Sequence, residues 1–139
     1  MKIAVIGLGL MGGSLCMSLK RAGYFADGYD LCGATLEYAL ENKIINAAVC
    51  NTEIYDTVFV ALPPQDTVNF IINSRFKSGA VVSDICGVKL FIEREVEKCF
   101  HNFNYVGLHP MAGKEVSGIH NACADLFDGA SMVITHGAN

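Results

Sequence analysis

Two stretches of the sequence combine residue types and spacings that could perform chemistry. Residues 7–12 read Gly-Leu-Gly-Leu-Met-Gly, and Asp30 follows this turn about 20 positions later. Residues 107–118 contain His109, which a proline follows directly. Glycine-rich turns present backbone N–H groups to phosphates, and a histidine exchanges protons near neutral pH. The sequence therefore points to a site that combines anion binding with proton transfer.

Each glycine of the G-x-G-x-x-G turn has its own physical role when a strand precedes the turn and a helix follows it. Gly7 permits the tight turn, Gly9 lets the backbone approach a diphosphate, and Gly12 lets the helix pack closely on the strand. The N–H groups at the helix start, including those of Leu10 and Met11, would face the same diphosphate. Such a turn can also be purely structural, but here it has the required flanking elements.

Asp30 is predicted to end the second strand of the fold. A carboxylate there can accept hydrogen bonds from both hydroxyls of an adenosine ribose, although an ordinary turn aspartate is the alternative. Residues 31–33 are Leu-Cys-Gly, so no arginine is present to hold a 2′-phosphate, which Asp30 would also repel. We therefore predict NAD rather than NADP as the cofactor.

Two further turns follow apolar strands, and ligands of open α/β sheets bind beyond the carboxyl ends of the strands. Leu62 and Pro63 follow one strand, and the double proline at 63–64 is either a rigid turn or part of the nicotinamide side of the site. Asp84 ends another strand and could contact the cofactor or cap the next helix. Lys89, in the first turns of that helix, could reach an anionic group or be solvated.

Apolar, β-branched runs alternate with segments of helical spacing along the chain. Strands are predicted at 2–6, 57–62, 80–83, 105–108 and 131–135, with a weaker one at 26–29, and helices at 11–22, 35–42, 66–73, 88–99 and 121–126. Strands that alternate with helices predict βαβ units with right-handed crossovers. We expect residues 1–139 to form one dinucleotide-binding domain with a Rossmann-like, doubly wound, mainly parallel sheet and helices on both faces.

Composition argues against several classes of function. The net charge of −4 and the pI near 5.4 disfavour binding to nucleic acid or to an anionic membrane. Hydrophobic residues make up 52% of the chain, as expected for a parallel sheet covered on both faces or for a surface that meets a partner. No run approaches the roughly 20 apolar residues that span a bilayer. We expect a cytoplasmic protein.

The six cysteines are scattered along the chain, and no two of them form a C-x-x-C pair. Single cysteines in an α/β pattern are typical of small buried hydrophobic residues in a reducing cytosol. We therefore predict neither disulfides nor a metal site.

Taken together, these motifs resemble the prephenate dehydrogenase family. The resemblance rests on the opening GLGLMGGSL, on the turn at 84–89, which is similar to D-x-x-S-V-K, and on HPMAGKEVSG at 109–118. It implies an enzyme of tyrosine biosynthesis that oxidises the C4 hydroxyl of prephenate, passes hydride to NAD(P) and releases carbon dioxide, giving 4-hydroxyphenylpyruvate. His109 then corresponds to the catalytic histidine, which accepts the hydroxyl proton.

The resemblance also assigns other positions. Glu115 would lie at the mouth of the active site and gate access, beside a substrate region that includes Gly87 and Lys89. Gly87 stands where the family often has serine, so a hydroxyl contact from that position is lost. In the family a helical C-terminal domain forms the homodimer and supplies an arginine for a substrate carboxylate. We find no such segment in the 139 residues and expect this chain to bind NAD but to turn over prephenate poorly or not at all.

Three other readings of the sequence stay open. Arogenate could replace prephenate as the substrate. The chain could belong to a β-hydroxyacid dehydrogenase or an imine reductase, which share the glycine turn but not usually H-P-x-A-G followed by E-x-S-G. A nucleotide-sensing module without catalysis is the third possibility, and the His109 and Glu115 pair argues against it.

Overall fold

The computed structural model describes residues 1–99 and 101–136, the side chain of His136 excepted. Six strands and four helices alternate along most of this length. The strands are β1 (Ile3–Ile6), β2 (Ala26–Tyr29), β3 (Thr57–Val60), β4 (Val81–Asp84), β5 (Asn104–Pro110) and β6 (Met132–His136). The helices are α1 (Leu10–Arg21), α2 (Gly33–Glu41), α3 (Pro64–Asn73) and α4 (Lys89–Glu97), with short 3₁₀ turns at Thr52–Ile54 and Ile119–Asn121.

The six strands form one sheet in the order β2-β1-β3-β4-β5-β6. Strands β1 to β5 are all parallel to one another, and β6 is antiparallel to β5. The chain first winds from β1 to β2 and then returns past β1 to β3, so the winding direction changes between β1 and β3. Open α/β sheets bind ligands at such a switch point. The predicted Rossmann-like, doubly wound fold is confirmed.

Burial on both sheet faces explains why the central strands are unbroken apolar runs. In β1, Ala4 and Ile6 belong to one core cluster, with the side chains of α3 and α4, while Ile3 and Val5 belong to a second, with those of α1 and α2. All four residues are at most 3% exposed. Since burying an Ile or Val side chain stabilises a fold by roughly 1.5–3 kcal/mol, β1 anchors both halves of the core.

The helix predicted at 121–126 is wrong. That segment contains the end of a 3₁₀ turn and then an irregular turn, with Ala122 in an extended conformation. Side chains of α1 bind its backbone instead: Ser14 Oγ accepts from Cys123 N at 3.0 Å, and Ser18 Oγ donates to Ala124 O at 2.8 Å. These contacts satisfy two backbone polar groups of the segment without a helix.

The cysteine prediction is partly wrong. All six are free thiols, but only Cys16 is fully buried, whereas Cys32, Cys50 and Cys99 are exposed. Within residues 1–99 and 101–136, no cluster of three His, Cys, Asp or Glu side chains could hold a metal ion. In the same part of the chain, no helix has the length and apolar character needed to cross a bilayer.

Strand β1 and helix α1 meet through a backbone contact that leaves no room for a side chain. A β-carbon at position 12 would lie 1.8 Å from the carbonyl oxygen of Gly7. Gly7 has a φ of +90°, and a β-carbon there would lie 2.5 Å from the carbonyl oxygen of Ala61. Both neighbours are backbone atoms, which cannot rotate away. Glycine is therefore required at 7 and 12 by the fold itself, before any ligand is considered.

Replacing Gly12 with alanine should destabilise the chain strongly, because the new methyl group must displace the β1–α1 turn. We expect a loss of at least about 3 kcal/mol in the free energy of unfolding, at the upper end for overpacking. Gly9→Ala is the matched control, since nothing lies within 4 Å of a β-carbon at that position, and its cost should stay below about 1 kcal/mol. Urea unfolding of both variants checks this; equal stability would contradict the steric argument.

Candidate active site

The predicted site residues converge on one edge of the sheet. The last residues of three parallel strands and a β5 residue are in register across it: Ile6, Val60, Asp84 and Gly107. Gly7 comes directly after Ile6, and Leu62 comes shortly after Val60. Gly87 comes shortly after Asp84, and His109 is two residues past Gly107. Since neighbouring strands are about 4.8 Å apart, the ends of β1 and β5 are separated by about 14 Å. The glycine turn and His109 therefore share the same rim.

The start of α1 presents free backbone donors at this rim. Gly9 is the N-cap residue of α1, and no atom lies within 4 Å of the position that a β-carbon would take there. The first intrahelical hydrogen bond runs from Gly13 N to Gly9 O at 2.9 Å. The N–H groups of Leu10, Met11 and Gly12 precede it and have no partner within the helix, and no side chain caps them. Together with the positive end of the helix dipole, these groups suit an anionic ligand.

Asp30 lies directly after β2 and is half-buried beside this turn. Its Oδ2 accepts a hydrogen bond from Leu8 N at 2.8 Å, and its Oδ1 accepts one from Cys32 N at 2.9 Å. Each carboxylate oxygen can accept a further bond, so both stay available to hydroxyl donors. The contact with Leu8 N fixes the carboxylate next to the glycine turn.

A cleft of about 710 Å³ opens between the ends of β1, β2 and β3 and helix α3. Most of the surface that lines the cleft is apolar or aromatic, and several polar side chains also line it. The lining includes Tyr29, Asp30, Leu31, Val49, Asn51, Leu62, Asp66, Asn69, Phe70 and Arg75. Apolar clefts with a few placed polar groups are typical of small-molecule sites. Asn51, Asn69 and Arg75 could not be identified from the sequence, because they come from separate segments that no local motif connects.

The double proline begins a helix at the cleft. Pro63 is the N-cap residue of α3 and Pro64 its first residue, a position where the missing N–H costs nothing. Leu62 lines the cleft, and its carbonyl accepts hydrogen bonds from Thr67 Oγ1 at 2.9 Å and Cys86 Sγ at 3.1 Å. The double proline thus forms a rigid turn into α3, and Leu62 places the same turn beside the cleft.

Asp84 points into the protein rather than into the cleft. It is fully buried, and its carboxylate accepts from Cys86 N at 2.9 Å, from the Lys89 ammonium and from the Tyr105 hydroxyl. Burial, and then the hydrogen bond to Asp84, raise the pKa of the Tyr105 phenol. The prediction that Asp84 caps the next helix is wrong, because Val88 is the N-cap residue of α4. A contact between Asp84 and a cofactor would have to use its backbone.

Lys89 is the buried partner of this carboxylate. Its side chain is 12% exposed, and its ammonium pairs with the Asp84 carboxylate. The alternative of a solvated Lys89 is therefore wrong. Tyr105, the third member, was not identified from the sequence. The alternation of β5 could have indicated it, since residues 105, 107 and 109 share one face of the strand.

His109 lies beside Gly87, across the gap between β5 and the turn after β4. A β-carbon at position 87 would lie 3.1 Å from Cε1 of the imidazole. The ring therefore occupies space that a side chain at 87 would restrict. Among the residues that the structure describes, His109 Nδ1 is buried without a hydrogen-bond partner. The turn also holds Cys86, whose thiol pKa is raised by burial.

Glu115 lies in the loop after β5 and is exposed. It makes no hydrogen bond or ion pair with other residues of the described ranges. The structure thus brings together the glycine turn, Asp30, Leu62, Gly87 and His109 along one rim, and it leaves Glu115 on the surface.

Comparison with known proteins agrees with this geometry. A family model described as "Prephenate dehydrogenase, nucleotide-binding domain" matches residues 15–139. The prephenate dehydrogenase of Lactococcus lactis is 27% identical, over 96% of this chain and 40% of the relative. The chain spans 35–40% of the length of the curated relatives it matches.

Solved structures show the same likeness. A Synechocystis arogenate dehydrogenase has a TM-score of 0.84 and 30% identity, over 98% of this chain and 50% of that one. A prephenate dehydrogenase from A. aeolicus, in complex with hydroxyphenyl propionate and NAD⁺, has a TM-score of 0.82 and 27% identity, over 97% of this chain and 50% of that one.

Lys89→Met should destabilise the chain, because it leaves the buried Asp84 carboxylate without its cation. Breaking one side of a buried ion pair costs about 3–5 kcal/mol, and we expect a loss of about 3 kcal/mol in urea unfolding. Lys98→Met is the control: it breaks the exposed pair with Glu95 at the end of the same helix and should leave the unfolding midpoint unchanged. Equal midpoints for the two variants would show that the Lys89 pair does not stabilise the fold.

Proposed function

Since this chain belongs to the prephenate dehydrogenase family, as its nucleotide-binding domain, we propose that it provides the NAD site and the catalytic histidine of an enzyme that oxidises and decarboxylates prephenate. The observation that carries the proposal is the position of His109 at the carboxyl end of β5, on the same rim as the glycine turn. Ligands of this fold bind along that rim.

The residues present at the turn fit a dinucleotide. Gly9 leaves open space where the backbone can approach a diphosphate, and the N–H groups of Leu10, Met11 and Gly12 have no partner within the helix. Asp30 would accept hydrogen bonds from the hydroxyls of the adenosine ribose, and Leu62 and Pro63 would border the nicotinamide. The A. aeolicus relative binds NAD⁺. When bound, NAD supplies the hydride acceptor.

His109 would act as the base. Its Nδ1 is buried, which leaves Nε2 as the nitrogen that a substrate hydroxyl can reach. As hydride leaves C4 of the substrate, Nε2 takes the proton of the C4 hydroxyl, and the loss of carbon dioxide makes the ring aromatic. An imidazole in its neutral form can accept this proton.

Gly87 would shape the space beside the base rather than bind the substrate. It has no hydroxyl to offer, and its lack of a side chain lets the imidazole approach the turn after β4. Lys89 would hold that turn in place through Asp84. The exposed Glu115 would act at the entrance to the site. The substrate carboxylate site and the homodimer interface would come from chain outside these 139 residues, since the curated relatives are more than twice as long.

Arogenate is the alternative substrate, because the similar structures include an arogenate dehydrogenase. The two substrates differ in a side-chain keto or amino group, which is remote from the hydroxyl that His109 would bind. The residues described here therefore serve either substrate. The family assignment favours both over a β-hydroxyacid, and catalysis over nucleotide sensing alone.

Asp30→Asn should weaken NAD binding and reduce the preference for NAD over NADP. A hydrogen bond to a charged group contributes roughly 1.5–3 kcal/mol, so we expect NAD affinity to fall by about tenfold. The NADP affinity should hold or rise, because the repulsion of the 2′-phosphate is removed. Calorimetric titration with both cofactors measures this, with Asp27→Asn, on the same strand, as the control. Tighter binding of NADP than of NAD by the unaltered chain would refute the assignment.

His109→Ala should lower kcat of the active enzyme by about 10²–10⁴, the usual contribution of a general base. The Kd for NAD should stay unchanged, because the glycine turn is three strands away. His120→Ala is the matched control, since His120 is exposed and contacts Tyr38 instead of the site. Steady-state assays with prephenate and with arogenate test both the role and the substrate. Near-normal turnover by His109→Ala would remove this residue from the mechanism.

A further inference from the structure

One face of β5 joins the proposed base to a row of polar groups that the proposed function has not yet accounted for. Side chains of a strand alternate between faces, so Tyr105, Gly107 and His109 share one face. Helix α4 packs on that face, because Ile92 and Val96 belong to the same core cluster as Tyr105. The row begins at the buried Asp84–Tyr105 hydrogen bond and ends at the proposed base.

Gly107 creates a polar pocket in the middle of this row. A β-carbon at position 107 would lie 2.3 Å from Thr135 Oγ1, 3.1 Å from Lys89 Cδ and 3.3 Å from Glu93 Oε1. The carboxylate of Glu93 therefore reaches from α4 into the space above the Gly107 backbone. Only glycine leaves room for it there.

Two buried side-chain atoms have no hydrogen-bond partner in the described part of the chain. One lies beside this pocket, and the other belongs to the residue two positions further along the same face of β5. They are Glu93 Oε1 and His109 Nδ1. The α-carbons of Gly107, whose side of the strand Glu93 Oε1 approaches, and of His109 are about 6.6 Å apart along β5. An ordered water can bridge buried polar groups that are too far apart for a direct hydrogen bond. Buried polar atoms are almost always paired, with protein or with ordered water.

We propose that Glu93 is a positioning residue for His109: its carboxylate accepts, through one ordered water, the hydrogen bond that Nδ1–H of the imidazole donates. The hydrogen bond at one ring nitrogen sets which nitrogen carries the proton. The neutral ring then keeps its proton on Nδ1 and leaves Nε2 free to accept one. The catalytic use of Nε2 rests on the proposed function, but the protonation of Nδ1 does not.

Among the titratable neighbours of the ring, Glu93 has the unpaired acceptor atom. On this side of the ring, β6 contributes the uncharged Val133 and Thr135. The titratable groups come from β4, the turn after it, α4 and β5, and they are Asp84, Cys86, Lys89, Glu93 and Tyr105. The Asp84 carboxylate already accepts three hydrogen bonds, the Tyr105 hydroxyl donates to it, and the Lys89 ammonium is a donor only. The Cys86 thiol bonds to Leu62 O. In the ranges 1–99 and 101–136, Glu93 Oε1 is the buried carboxylate oxygen without a hydrogen-bond partner.

The test is the tautomer of His109, read from the ¹⁵N shifts of its ring nitrogens in the 139-residue chain at a pH where the ring is neutral. Signals are assigned by their loss in His109→Asn. The proposal expects the Nδ1–H form in the unaltered chain. Glu93→Gln keeps an acceptor oxygen and should retain the Nδ1–H form. Glu93→Met has no acceptor oxygen and should shift the ring to the Nε2–H form. Glu95→Met, on the exposed part of the same helix, is the control and should change nothing.

An Nε2–H ring in the unaltered chain overturns the proposal without need of any variant, and so does an Nδ1–H ring that survives Glu93→Met. Neither result depends on turnover, so this proposal can fail while the proposed function stands. In the active enzyme, Glu93→Met should lower kcat by about tenfold, a part of the 10²–10⁴ that a general base supplies, with the Kd for NAD unchanged.

Discussion

The carbonyl oxygen of Gly7 and the α-carbon of Gly12 are in such close contact that no side chain fits between them. This contact places the start of α1 directly over the end of β1, which is where unpaired N–H groups can meet a ligand. The same turn is tied to β2, since Gly7 N donates to Tyr29 O at 2.8 Å and Leu8 N to the Asp30 carboxylate at 2.8 Å. The anion site and the residue proposed to bind the ribose are therefore fixed relative to each other by the backbone, before any cofactor binds.

Local signals in the sequence were sufficient for the architecture and for this turn. Strands buried on both faces are largely apolar, so β1 and β3 could be located from hydrophobic runs, whereas β2 at Ala26–Tyr29, which reads Ala-Asp-Gly-Tyr, gave a weaker signal. The glycine spacing is equally local, because the constraint acts within six residues. Helix ends were less certain: α4 begins at Lys89 and ends at Glu97, within the predicted 88–99. Propensity fixes such ends only to within a few residues.

Features that depend on tertiary contacts could not be predicted in this way. The segment at 121–126 has helical spacing, yet Ser14 and Ser18 of α1 bind its backbone and hold it in an irregular turn. Asp84 has the sequence position of a helix cap, but Tyr105 and Lys89 offer buried donors that no local pattern reveals. A carboxylate removed from water needs such partners, so it turns inward.

Two glycines flank the proposed base, and each has a different consequence. Gly87 lets the imidazole of His109 approach the turn after β4, but it gives up the hydroxyl that the family often places there, and with it one group that could orient the ring. Gly107, two residues before His109 on the same face, admits the Glu93 carboxylate from α4. An imidazole that acts as a base must be held in one tautomer and one orientation. Because position 87 offers no hydroxyl, we place that restraint on the face that Gly107 opens, where α4 supplies a buried carboxylate oxygen that has no partner in the described part of the chain.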